Sequence, residues 1–145
     1  LVMFICNHCP YVKHIEAEVA SLGRNYDLER LGIVAISSND VVTYPQDGPD
    51  EMRQFAKQNN LNFPYLFDET QEVAKAYDAA CTPDFFLFDS NLSCVYRGRF
   101  DASRPKSDIP VTGDELIRAI DSLLEGEPIS AEQHPSMGCN IKWRM

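Results

Sequence analysis

Phe4-Ile5-Cys6-Asn7-His8-Cys9-Pro10-Tyr11-Val12-Lys13-His14-Ile15 is the stretch on which the reading of this chain turns. The apolar run Leu1 to Ile5 reads as a buried strand, and it ends at Cys6. Cys9 follows at C-x-x-C spacing, and a helical pattern starts directly after it. A C-x-x-C between a strand and a helix is the signature of a redox site. At a helix N-terminus the first backbone N–H groups lack partners, and the positive end of the dipole is exposed. A thiolate there is stabilised, so a thiol pKa of about 8.5 falls toward roughly 3.5–7.5. Spacing of three along one turn brings the second sulfur to the first. Pro10 suits the first turn, where its missing N–H would have had no acceptor. His8, directly before Cys9, can carry positive charge near neutral pH. That charge favours a Cys6 thiolate and a more oxidising pair.

Two other readings of the pair stay open. Two cysteines are half of a zinc site, which needs a second C-x-x-C or a histidine pair at a suitable distance. Cys81, Cys94 and Cys139 are isolated in the sequence, so no metal is expected. Both cysteines are otherwise inert core fillers.

Composition narrows the classes. With 145 residues, one domain is expected. A chain of that size buries roughly 68–70% of its unfolded surface, enough for a core without staples. A net charge of −9 argues against nucleic acid and against anionic membranes as partners. No apolar run is long enough to span a bilayer. Five cysteines is an odd number without the spacing of a secreted disulfide framework, so a cytoplasmic redox protein is expected. No signal peptide is visible, and a chain that opens inside a strand is expected to lack its own N-terminus.

Taken in order, Val12, Ile15, Val19 and Leu22 mark one helix face, running to about Tyr26. Ile33 to Ile36 is the next buried strand. Residues 39–50 are a polar loop, followed by a helix from Asp50 to Asn60 with Met52, Phe55 and Ala56 inward. Phe63 to Phe67 is a short strand. Thr70 opens a helix that runs through Ala80, and Cys81-Thr82-Pro83 breaks it. Asp84 to Asp89 and Ser93 to Arg97 form a hairpin. Thr112 and Glu115 read as a capping box for a helix carrying Leu116, Ile117, Ile120, Leu123 and Leu124 inward. Gly126 and Pro128 stop it. The tail from Ile129 has no clear periodicity. Alternating strands and helices imply an α/β fold: a central mixed sheet with helices on both faces.

Cys6-Asn7-His8-Cys9 after the first strand, with Thr82-Pro83 before a late strand, resembles the thioredoxin fold over nearly the whole chain. The inserted helix and strand around residues 50–67 are similar to the peroxiredoxin-like branch, the AhpC/TSA (alkyl hydroperoxide reductase and thiol-specific antioxidant) group and its redoxin relatives. Phe4-Ile5-Cys6-Asn7-His8-Cys9-Pro10, Cys81-Thr82-Pro83-Asp84 and Gly138-Cys139-Asn140-Ile141-Lys142-Trp143 resemble a bacterial thioredoxin family protein of that branch. The resemblance implies a thioredoxin-like domain over 1–128, with 129–145 a tail packed on it or extending from it. It implies Cys6 as the exposed nucleophile and Cys9 as the buried resolving thiol. Pro83 is implied to be a cis proline facing the pair, with Thr82 offering backbone hydrogen bonds to a bound peptide.

Departures are informative. Thioredoxins proper carry Trp before the first cysteine and Gly-Pro between the two; here Ile5 and Asn7-His8 stand there. The dipeptide ending in His is more similar to disulfide-forming relatives. Their buried acid, a few residues upstream, would precede Leu1. Peroxiredoxins place Thr or Ser three residues before the peroxidatic cysteine, and if Cys9 matches that cysteine, Cys6 replaces the hydroxyl.

Three functions are consistent with these residues. The first is a thiol–disulfide oxidoreductase whose only redox group is the Cys6–Cys9 disulfide, with no cofactor. Its partners are protein or small-molecule thiols and disulfides and a recycling reductant. The second is a thiol-dependent, antioxidant peroxidase acting on peroxides. The third is a non-enzymatic redox-sensing or binding module. Among other residues, Cys81 is expected near the pair, either as a third thiol or as a small residue closing a helix. His14 reads as a surface histidine and Cys94 as a buried hydrophobe. Arg97 and Arg99 have a possible peroxide-anion role beside a commoner surface or ion-pair one, and His134 and Cys139 lack the spacing of a metal site.

Overall fold

In the computed structural model, which describes residues 1–145, the strands alternate between two cores. β1 (Val2–Phe4), β2 (Val34–Ser37), β3 (Tyr65–Phe67), β5 (Asp84–Phe88) and β6 (Cys94–Gly98) make one sheet in the order β3-β2-β1-β5-β6. β1 and β2, and β2 and β3, run parallel, while β5 is antiparallel to both β1 and β6. The mixed sheet is thus the expected one. Successive strand residues point to opposite faces. Met3, Ala35, Phe85 and Leu87 enter one core; Phe4, Ile36 and Phe86 enter the other.

The larger core is closed by α1 (Pro10–Asn25) through Val12, Ile15, Val19 and Leu22, and by α4 (Asp114–Leu124) through Leu116, Ala119 and Ile120. α2 (Pro49–Gln58) adds Phe55 to it. The smaller core is closed by Ala74 of α3 (Glu72–Tyr77) and by Ile141 of the tail. The helix faces read from the periodicity are the ones that pack, although Ala56, Ile117, Leu123 and Leu124 are only partly buried.

Local differences have local causes. α3 ends at Tyr77, where Asp78 turns left-handed with φ 56°, so the helix never reaches Ala80. Its N-terminus is held by Asp68, whose carboxylate accepts from Val73 N at 3.3 Å and Ala74 N at 2.9 Å. Thr70 adds a longer bond, its Oγ1 accepting Glu72 N at 3.4 Å. The Thr112–Glu115 capping box is not formed. Gly113 is the N-cap at φ 69°, with the Phe100 ring where a Cβ would sit. Asp101, twelve residues back, accepts Thr112 N and Gly113 N at 2.8 Å each, and Glu115 pairs with Arg99 instead. Cys94 is exposed, not buried, because a bulge at Leu87/Phe88 shifts the register at this end of the β5–β6 ladder.

The tail is structured beyond expectation. Cys139–Asn140 forms β7, which pairs antiparallel with β4 (Cys81–Thr82): Cys81 opposite Asn140, Thr82 opposite Cys139. Buried Gln71 pins the residues beyond β7. Its Nε2 donates to Lys142 O at 2.9 Å and to Ser38 O at 2.7 Å, and its Oε1 accepts Arg144 N at 3.0 Å.

Candidate active site

β1 delivers Cys6 to the end of the sheet, and α1 starts at Pro10 with Cys9 as its N-cap. This offset decides which sulfur the helix serves. The first turn opens on Cys9, whose carbonyl accepts Val12 N at 3.0 Å and Lys13 N at 2.9 Å, so its sulfur lies at the positive end of the helix. Cys139 also lies near that sulfur. The thiol of Cys6 hydrogen-bonds to Cys9 as well, so the two sulfurs share one proton site.

The electrostatics of the pair are set first by the hydrogen bond between its two thiols. The hydrogen bond from Cys6 is the main cause holding the Cys9 thiol down, to about 4, with burial opposing it and the Cys139 and Val12 donors assisting. Cys6 is held protonated, far above its ordinary range, by its hydrogen bond to Cys9, then by burial and the nearby Asp47 carboxylate. Exposure departs from the expectation. Cys6 is 1% exposed and Cys9 0%, so neither is an open nucleophile.

Thr82 touches both sulfurs. Its Oγ1 lies 3.5 Å from Cys6 Sγ, and its carbonyl oxygen lies 3.5 Å from Cys9 Sγ, where it accepts from that thiol whenever the thiol is protonated. The Thr82–Pro83 peptide bond is cis, as the resemblance implied. Cys81, next along the strand, necessarily points away from Thr82's face. Its sulfur lies toward Pro83 O at 3.9 Å, and burial together with Asp84 pushes its thiol up to about 12. No hydrogen bond joins Cys81 to the pair, although Cys9 is near enough for its charge to add to that rise. The third thiol at the pair is Cys139, brought in by the tail as the register partner of Thr82.

Sequence reasoning missed Asp47. It is 0% exposed, in a 3-10 turn (Pro45–Asp47) of the polar loop. One carboxylate oxygen accepts Asn7 N at 2.9 Å and His8 N at 3.3 Å; the other accepts Asn39 Nδ2 at 2.9 Å. The residues between the two cysteines are therefore fixed by a buried acid. His8 places Nδ1 2.5 Å from Asp47 Oδ2 and stacks on Tyr44 at 5.9 Å between ring centroids. Asn7 accepts the Tyr65 hydroxyl at 2.9 Å, so the inserted strand also reaches the site. No local signal marked Asp47, because its partners between the two cysteines, Asn7 and His8, lie some forty residues away in the chain.

Cys6, His8 and Asp47 bring one potential metal ligand atom each to within 4.8 Å of one another. Sequence spacing did not reveal this group. Three ligands fall short of a closed structural zinc site. Both carboxylate oxygens of Asp47 are already engaged by donors, and Cys6 by Cys9 and Thr82, so the donor set is committed to the loop and the pair.

The remaining candidates lie elsewhere. His14 is only partly exposed, with Nε2 3.1 Å from Ser103 Oγ. Arg99 is bound by Glu115 at 3.0 Å, and Arg97 lies over the Phe86 ring and donates to Asp78 O at 2.6 Å. His134 is exposed beside Glu132 at 3.6 Å and does not join Cys139. No helix is long and apolar enough to cross a membrane.

Comparisons with known proteins agree with this architecture. An uncharacterised conserved protein from Geobacillus kaustophilus is 56% identical, with TM-score 0.96 over 99% of this chain and 76% of its own. A hypothetical protein from Sinorhizobium meliloti is 44% identical, with TM-score 0.96 over 99% of this chain and 78% of its own. At 16% identity, a secreted Mycobacterium tuberculosis disulfide oxidoreductase shares the thioredoxin-like fold, with TM-score 0.62 over 84% of this chain and 79% of its own. No curated protein matches the chain. The AhpC/TSA family profile matches residues 1–97, the span that carries the sheet, α1 and Thr82-Pro83. A thioredoxin-like sheet with a joined thiol pair at its end and that family match lead to one assignment: the chain belongs to the AhpC/TSA family of redox proteins.

Proposed function

We propose that this chain is a thiol–disulfide oxidoreductase that works through Cys6 and Cys9, with no cofactor beyond their disulfide. The observation that carries the reading is geometric: two free thiols meet at the start of α1, and Thr82, beside its cis bond to Pro83, contacts both sulfurs. In the reducing direction the Cys9 thiolate attacks a substrate disulfide. A mixed disulfide forms and one substrate thiolate leaves. The charge on Cys9 is then gone, so the main hold on the Cys6 proton is released. Cys6 loses that proton and attacks Cys9 Sγ. The Cys6–Cys9 disulfide closes, and the second substrate thiolate departs as a thiol. The reverse sequence oxidises a substrate dithiol. Asp47 and Thr82 act as positioning residues, holding the Asn7-His8 turn and both sulfurs.

A stabilised Cys9 thiolate stabilises the reduced form and so makes the pair a stronger oxidant. Redox titration against glutathione is expected to give a potential above that of thioredoxin, about −270 mV. Insulin reduction with a recycling thiol tests turnover. Cys9→Ser and Cys6→Ser each drop it by on the order of 10⁴-fold, the scale seen when one member of a reacting unit is removed. Full turnover in either variant excludes the proposed cycle.

One observation favours a second reading, thiol-dependent peroxidase. Cys9 is fully buried, and peroxide is a smaller partner than a protein disulfide. Peroxide would oxidise the Cys9 thiolate to a sulfenic acid, and Cys6 would displace water to form the same disulfide. Arg99, tied to Glu115, is not free to bind a peroxide anion. Peroxide consumption with a thiol reductant, absent insulin reduction, selects this reading.

A further inference from the structure

Outside the C-x-x-C, Cys139 is the thiol that reaches the pair. The tail holds it there by several independent means. Cys139 is the register partner of Thr82, whose carbonyl faces Cys9 Sγ at 3.5 Å. Gly138 lies so close to this strand that a Cβ would sit 1.9 Å from Thr82 O, so only glycine fits. On the far side, Ile141 is buried and donates to Ala80 O at 3.1 Å. Lys142 N donates to Asn39 Oδ1 at 2.9 Å, and Gln71 Nε2 binds Lys142 O at 2.9 Å. Both flanks are thus fixed, and they seat Cys139 opposite the residue whose carbonyl contacts Cys9, near enough for the two thiols to shift each other's acidity. Cys139 itself is only partly buried, whereas Cys6 and Cys9 are closed to solvent.

We infer that Cys139 is a third redox-active thiol, which converts a Cys6–Cys9 disulfide into a Cys9–Cys139 disulfide and so carries oxidation from the buried pair to the surface strand. The inference rests on the redox role proposed above for Cys6 and Cys9. In this step the Cys139 thiolate attacks Cys9 Sγ. The S–S bond from Cys9 to Cys139 forms and the bond from Cys9 to Cys6 breaks. The electron pair of the broken bond leaves on Cys6 Sγ, which takes up the proton that Cys139 lost. No electrons enter or leave, so no outside oxidant is needed for the transfer; the first disulfide comes from a substrate disulfide or a peroxide. Once Cys9 is in a disulfide its negative charge is absent. That charge is one of the causes, after burial, that hold the Cys139 thiol up at about 11 in the reduced protein. Oxidation of the pair therefore prepares the attacking thiol.

The test is disulfide mapping on the full chain in a Cys81→Ser/Cys94→Ser background, oxidised with glutathione disulfide and quenched in acid. Trypsin releases Cys6 and Cys9 on one peptide, 1–13, and Cys139 on another, 119–142. The expected result is a 1–13/119–142 cross-linked species beside the internally bridged 1–13 peptide. Cys139→Ser is expected to abolish the cross-linked species, and Cys6→Ser to slow its formation, because the Cys6–Cys9 disulfide it comes from cannot form. Internally bridged 1–13 without any cross-link overturns the inference and leaves the proposed function intact. No disulfide on either peptide overturns both. A cross-link that forms only in denaturant overturns the inference. Circular dichroism of each variant confirms that the fold is retained, and the parent background serves as the reading if a variant does not fold.

Discussion

Cys9 is where a small shift of one helix boundary redirects the chemistry. With the helix beginning at Pro10, its positive end lies at the second cysteine of the motif, not the first. This has a pH signature in the reduced protein. The Cys9 thiol is held at about 4, below its unfolded value of about 8.5. Its contribution to stability is therefore full above the unfolded value and is lost as pH falls through about 4. Cys6, raised, acts oppositely: it costs stability only as pH climbs past the unfolded thiol value. Urea unfolding of the reduced protein is expected to show a stability advantage over Cys9→Ser that grows from pH 4 toward pH 8 (~4 to ~8.5, the two ends of the linkage). A pH-independent gap contradicts the thiolate assignment. Asp84 offers a second test. Burial raises its carboxyl, with the Ser136 hydroxyl bond opposing. A raised acid destabilises the fold above its folded pKa and ceases to do so once protonated at low pH. Asp84→Asn, which keeps an acceptor for Ser136, is expected to raise the melting temperature at neutral pH and to have no effect in acid.

At the scale of elements, what was legible was what repeats. α1, α2 and α4 announce themselves through apolar residues at spacings of three and four, and β1, β2 and β5 through short apolar runs. The thiol pair and the Thr82-Pro83 partner were legible because they are contiguous motifs. Two-residue strands have no period, so β4 and β7 left no trace, and with them went the contact between Cys139 and Cys9. Helix caps were misread for a related reason. Asp68 and Asp101 cap from outside the local window, and neither lies at a capping-box position. The role of Asp101 is testable. Burial works against its charge, but the Ser103 hydroxyl and the Gly113 and Thr112 amides hold its carboxyl below the usual range. Asp101→Ala leaves these amides without an acceptor and is expected to destabilise by about 1–3 kcal/mol in denaturant titration. Its share of stability is present above the unfolded carboxyl value and fades as pH falls through the lower folded one.

For the whole molecule, the two-sided core explains why α4 matters although it lies beyond the family match, which ends at residue 97. Leu116 and Ile120 are fully buried against the same core as Cys6 and Cys9. Leu116→Ala is expected to cost about 2–5 kcal/mol in urea unfolding. A change within a few tenths of zero would mean that α4 is not part of the cooperative unit. The tail belongs to the other core: Ile141 packs with Phe4, Ile36 and Phe86 across the sheet from α1. The pairing of β7 on β4 also has a colloidal consequence. An uncovered strand offers a ladder of free amides and carbonyls on which a second copy can build. By seating Cys139 and Asn140 opposite Thr82 and Cys81, the protein covers that ladder with its own backbone. A chain shortened to end before Gly138 is expected to self-associate in a concentration-dependent way, visible as rising light scattering, while the full chain at the same concentration stays clear.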